Sequence, residues 1–124
     1  MNKKLKTAAA FGLGAGALLF AATGANAHAH LVSAVPADKA VVASPNMIEA
    51  RFSEGLEAKF SSFDVTTAGG AKVALAQVNL DPKDKKILSA APQAPLAPGA
   101  YKVSWHVVAG DGHKSEGVYG FTVK

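Results

Sequence analysis

The sequence predicts an all-β domain, a cupredoxin-like or immunoglobulin-like Greek-key β-sandwich or barrel of about seven strands. Three observations carry this. Beyond residue 27 the chain falls into short runs in which apolar and polar residues alternate, the two-residue period of a half-buried strand. Proline, glycine and aspartate punctuate those runs. Only Glu54 to Phe60 reads as a helical turn, and no internal repeat stands out.

The elements follow in order. Leu31 to Val35 is a first strand, stopped by Pro36-Ala37-Asp38. Met47 to Ser53 alternates Ile48, Ala50 and Phe52 against Glu49, Arg51 and Ser53, so one face is buried and the other wet. Ser62 to Thr67 ends at Gly69-Gly70, and Lys72 to Leu75 is expected to pair back with it as a hairpin. Lys86 to Ala90 follows the polar turn Asp81-Pro82-Lys83-Asp84. Residues 91–99 carry Pro92, Pro95 and Pro98 and read as an extended surface loop, since proline cannot donate to a ladder. Tyr101 to Val108 places Tyr101, Val103, Trp105 and Val107 on one face. Val118 to Lys124 does the same with Tyr119, Phe121 and Val123.

The first 27 residues have another character. Met1 to Lys6 holds three lysines and no acid, Thr7 to Gly24 is dominated by Ala, Leu, Phe and Gly, and Ala25-Asn26-Ala27 fits the pattern read by signal peptidase. The reading is a cleaved export signal over 1–27 and one domain over 28–124. The competing reading is a transmembrane anchor, for which the stretch only just reaches the minimum of roughly 17 residues. Cleavage leaves 97 of the 124 residues and 10 basic against 9 acidic side chains, so the net charge of +4 falls to +1. No Lys/Arg stripe remains, which argues against nucleic acid or an anionic membrane as partner. The mature form is expected to be soluble, without a membrane anchor. The absence of cysteine removes thiolate metal sites, disulfides and thiol redox chemistry.

Cleavage after Ala27 makes His28 the first residue, where a free amine and ring Nδ1 can close a six-membered chelate on a transition metal. Asp111 and His113, in Asp111-Gly112-His113, add a carboxylate and a second imidazole. This donor set suits Cu(II) better than Cu(I), and copper stands above zinc in the divalent affinity order. An Asp-Gly turn with an exposed histidine is also common, so the two signals reinforce each other only if the fold joins residues 28 and 113. A first strand running beside the last ones would do so. His30 offers a competing mode: with histidine third, Cu(II) can be wrapped by the amine, two deprotonated amides and the imidazole. Leu31 should already be in a strand, which favours a structural or supporting role for His30. His106 reads as a polar strand position, and Glu54 as a turn carboxylate at a loop mouth.

Taken together these residues resemble the CopC family of periplasmic copper-binding proteins, including its YobA-like members. The likeness covers the whole region after the leader. It is carried by His28-Ala29-His30-Leu31-Val32-Ser33, Pro36-Ala37-Asp38, Phe52-Ser53-Glu54, the run from Pro98 through Trp105, Asp111-Gly112-His113-Lys114, Gly117 and Phe121-Thr122-Val123. The resemblance implies one Cu(II) at one end of the fold, held by the amine and ring of His28 with Asp111 and His113. Glu54 is a secondary candidate beside His30. It further implies a monomeric, non-enzymatic periplasmic protein for copper sequestration, delivery or resistance, and an inner-membrane CopD-like copper transporter as candidate partner. The methionine-rich loop with which some relatives bind Cu(I) is missing, since only Met47 remains after the leader. No Cu(I) site is expected. A rival reading is a histidine-brace copper oxidase or monooxygenase, against which stands Asp111, whose carboxylate would fill the position that oxygen chemistry needs open. An adhesion or chaperone sandwich is the third.

Overall fold

The computed structural model describes residues 29–124; the expected leader and His28 lie outside the described residues. The described chain forms eight strands: β1 (Leu31–Val35), β2 (Val41–Val42), β3 (Ile48–Phe52), β4 (Ser62–Thr67), β5 (Asn79–Asp81), β6 (Asp84–Ala90), β7 (Gly99–Val108) and β8 (Lys114–Val123). They build two four-stranded sheets, ordered β1-β3-β6-β5 and β2-β8-β7-β4. The sheets do not close into a barrel, so the sandwich alternative holds.

Alternation produces this layering directly. Ile48, Ala50 and Phe52 of β3 are buried while Glu49 and Arg51 are exposed. Tyr101, Val103, Trp105 and Val107 of β7 face the same interior, joined by Tyr119, Phe121 and Val123 of β8. The sheets meet where Phe52 sets its ring edge-on to Trp105, with centroids 5.0 Å apart at 70°. Tyr101 stacks on Phe121 at 5.6 Å, and its hydroxyl donates to Ala97 O at 2.6 Å, pinning the proline-rich loop.

Four sequence expectations need correction. Residues 72–75 do turn back on β4, with Lys72 bridging Thr66, but as an isolated bridge and not as a strand. Val73 N–H donates to Val65 O on β4, whereas Ala76 and Ala74 exchange hydrogen bonds with Ala91 and Gln93 just after β6. The segment crosses between sheets, so neither ladder continues. Strands β2 and β5 add to the expected set, because two- and three-residue edges are too short to show a period. The helical turn shrinks to a 3-10 helix over Ala58–Phe60. Finally, β8 begins at Lys114, since hydrogen bonding to β7 runs from Gly99↔Val123 to Val108↔Lys114.

Gly117 hides that early start, because it weakens the strand pattern directly opposite Trp105. A Cβ there would lie 2.5 Å from Trp105 Cζ2 and 2.8 Å from Cε2. The indole is buried and packed on Phe52, so it cannot swing away. Gly117→Ala is expected to cost about 1–3 kcal/mol, each kcal/mol lowering the melting temperature by roughly 4–8 °C in a domain this small. A thermal melt indistinguishable from wild type would show that the indole has another place to go.

Candidate metal centre

Two short segments far apart in sequence both reach the start of β8. The first is Ala29-His30. Ala29 is only 1% exposed, and its carbonyl accepts from Ser115 Oγ at 2.7 Å. His30 N–H donates to Ser53 Oγ at 3.0 Å, and Ser53 N–H returns a bond to His30 O at 2.9 Å. The same Ser53 Oγ lies 3.4 Å from His30 Nδ1. Ser53 follows β3 and Ser115 belongs to β8, so residues 29 and 30 bridge the two sheets. The arrangement that would have joined the two ends directly, a first strand beside the last ones, is not the one found: β1 pairs with β3 in the opposite sheet. Proximity comes from a side chain reaching across the sandwich.

The second segment is the β7–β8 turn. Gly112 takes φ +92°, a conformation that glycine adopts without steric cost. Ala109 and His113 close the turn with a 3.0 Å bond from Ala109 N–H to His113 O. Asp111 Oδ1 accepts from His113 N–H at 3.1 Å, the local carboxylate-to-backbone bond that aspartate favours in turns. Its Oδ2 stands 3.0 Å from His113 Nδ1. Both side chains are about half exposed. The bond from His113 N–H, then that from its ring, hold the Asp111 carboxyl below the usual carboxylate range.

The β3–β4 connection is laced to this turn. Gly110 N–H donates to Gly55 O at 3.1 Å and Glu57 N–H to Val108 O at 2.8 Å. Buried Ser61 helps, accepting from Val108 N–H at 3.0 Å. As a result Glu54 and Asp111 line one hollow of ≈ 490 Å³, together with Leu80 and Lys85.

The structure thus joins Asp111 to His113, sets Glu54 on the hollow that Asp111 lines, and ties His30 to Ser53. His106 is exposed on β7, opposite Ser62 and Glu116, in a separate open hollow of ≈ 940 Å³ that reaches Gly112 and Ser115. His28 lies outside the described residues. Among the described residues, no group of three or more His, Cys, Asp or Glu side chains is placed to hold a metal. Asp111 and His113 offer one oxygen and one nitrogen donor type, a borderline set that suits imidazole-binding divalent ions. Sequence reasoning missed Ser53 and Ser115, since a serine carries no signal that it will anchor a distant backbone.

Comparison with known proteins places this geometry in context. The CopC domain family matches residues 31–124. Protein YobA of Escherichia coli K12 is 41% identical over 99 residues, covering 79% of this chain and 80% of its own. Copper resistance protein C of Escherichia coli is 38% identical over 121 residues, covering 88% and 91%. The crystal structure of PcoC, a methionine-rich copper resistance protein from Escherichia coli, superposes with a TM-score of 0.73 at 37% identity, covering 79% of this chain and all of PcoC.

Proposed function

The chain belongs to the CopC family, and on that premise we propose that it is an exported periplasmic Cu(II)-binding protein serving copper sequestration, delivery or resistance. In this reading residues 1–27 are removed on export. One Cu(II) is then held by the amine and imidazole of His28 with Asp111 and His113. The observation that carries it is the junction of Ala29 with Ser115, two residues beyond His113. Consecutive Cα atoms are about 3.8 Å apart, so fixing Ala29 restricts the reach of the residue bonded to it. Relatives named for copper resistance support copper as the cargo.

Glu54 is a further oxygen donor at the rim of the site, and His30 supports the terminus. Met47 is exposed and is the one methionine beyond Met1, so a thioether Cu(I) site has no basis in this chain. A ligand set that includes Asp111 leaves little open coordination for oxygen activation, so we read the protein as a carrier and not an enzyme. Transfer to a CopD-like membrane transporter by a monomeric carrier completes the proposal.

The test is a competitive Cu(II) titration of the chain beginning at His28 against its His113→Ala variant. Removing an outer-shell partner already costs about 10–100-fold in metal affinity, so losing the imidazole itself is expected to exceed that range. Equal affinities would remove His113 from the site.

Acid should release the metal, because every proposed donor binds deprotonated. The sign for Asp111 is definite. Its pKa is depressed, so its folded-state interactions are complete above the ordinary carboxylate value and fade only as pH falls through the lowered one. The carboxylate thus persists into acid, and binding lost on descent from neutrality belongs to the nitrogen donors. Affinity unchanged between pH 7 and pH 4 would contradict the ligand set.

A further inference from the structure

His28-Ala29-His30 is also a sequence able to bind Cu(II) in a second way, by folding back over the metal with the amine, two ionised amides and the His30 ring. The two amide protons would leave to solvent as the metal enters. That mode needs two atoms of His30, its amide nitrogen and Nδ1. Both face one side chain. Ser53 Oγ accepts the His30 N–H at 3.0 Å and lies 3.4 Å from Nδ1. The Ser53 N–H holds His30 O at 2.9 Å, and Ser115 holds Ala29 O at 2.7 Å, so the dipeptide is fixed as a continuation of the β1–β3 ladder.

We infer that Ser53 is a specificity-determining residue that keeps Cu(II) out of the amide-wrapped mode and directs it to the Asp111–His113 end. The inference rests on the proposed ligand set, because it needs a free amine on His28. A hydrogen-bonded amide gives up its proton to a metal only after losing its acceptor, and the hydroxyl opposite Nδ1 turns the imidazole toward β3. Holding one dipeptide extended thus separates two coordination modes that the same three residues could support.

The experiment is Cu(II) electron paramagnetic resonance with visible absorption on the chain starting at His28. Wild type should give a mixed nitrogen and oxygen signal that changes in Asp111→Asn. Ser53→Ala should give a four-nitrogen signal with its ligand-field band at shorter wavelength, indifferent to Asp111→Asn and abolished by adding His30→Ala. Ser53→Thr, which keeps the hydroxyl, should behave as wild type. A folded Ser53→Ala variant with the wild-type spectrum overturns the inference and leaves the ligand set standing. A wild-type signal untouched by Asp111→Asn or by a residue added before His28 overturns the ligand set instead.

If Ser53→Ala does not fold, Ni(II) decides on wild type alone. Ni(II) turns square-planar and yellow when wrapped by ionised amides. The yellow form should be absent from folded protein and present once the chain is unfolded in urea. Its presence in folded protein, or its absence in urea, overturns the inference.

Discussion

A single residue added ahead of His28 is expected to lower Cu(II) affinity by ~10³-fold, about 4 kcal/mol. The addition converts the amine into an amide nitrogen, which is not a donor in this mode, and opens the six-membered ring that the amine closes with Nδ1. What remains is a set of separate one-point ligands. Loss of the ring should therefore cost more than any single side-chain change at the site. The measurement is a competitive titration of the two forms side by side. Equal affinity would place the terminus outside the site and force the roles of His28, Asp111 and His113 to be rebuilt, while no binding by either form would make copper the wrong cargo. If residues 1–27 are removed on export as proposed, the uncleaved chain is chemically the extended form, and copper loading is expected to follow export and not precede it.

Phe52→Ala should have the largest effect on stability. Phe52 is buried to 1% exposure at the end of β3 and meets Trp105 edge-on across the two sheets. Truncating a buried phenylalanine costs about 3–5 kcal/mol, a large share of the roughly 5–15 kcal/mol available to a domain. The melting temperature should fall by roughly 15 °C or more. Cu(II) at a hundred times its dissociation constant adds about 2.7 kcal/mol to the folded state, so the variant should recover part of the loss when loaded. Trp105 is the single tryptophan, and its emission can follow both transitions. A melt within a few degrees of wild type would show that this ring pair does not pin the sheets together.

The strands whose limits could be read from sequence are those with a full alternating face. In β3 and β7, each second residue points inward, so the order of apolar side chains is itself a statement about the core. The same reasoning failed at β2 and β5, which exist through their neighbours: Val41 and Val42 pair with Thr122 and Val123, and Asn79 and Leu80 with Ser89 and Leu88. It held only in part at residues 72–75, where Lys72 and Val73 pair back with β4 as a hairpin but Ala74 to Ala76 are drawn off by Ala91 and Gln93. Asp111 and His113 were legible because donor chemistry and turn chemistry coincide in three residues. Ser53 and Ser115 carry no such local signal, because a hydroxyl acquires its meaning from the backbone opposite.

By itself, the sequence determined the all-β class, the inward faces of the long strands and the types of donor on offer. These are local properties, set by two-residue periodicity and by the chemistry of single side chains. Only the tertiary structure decided that Ala29 and Ser115, 86 residues apart, are in contact, although β1 and β8 belong to different sheets. Such a meeting depends on strand register and on how two twisted sheets stack, a sum over the whole chain that no local run of residues records.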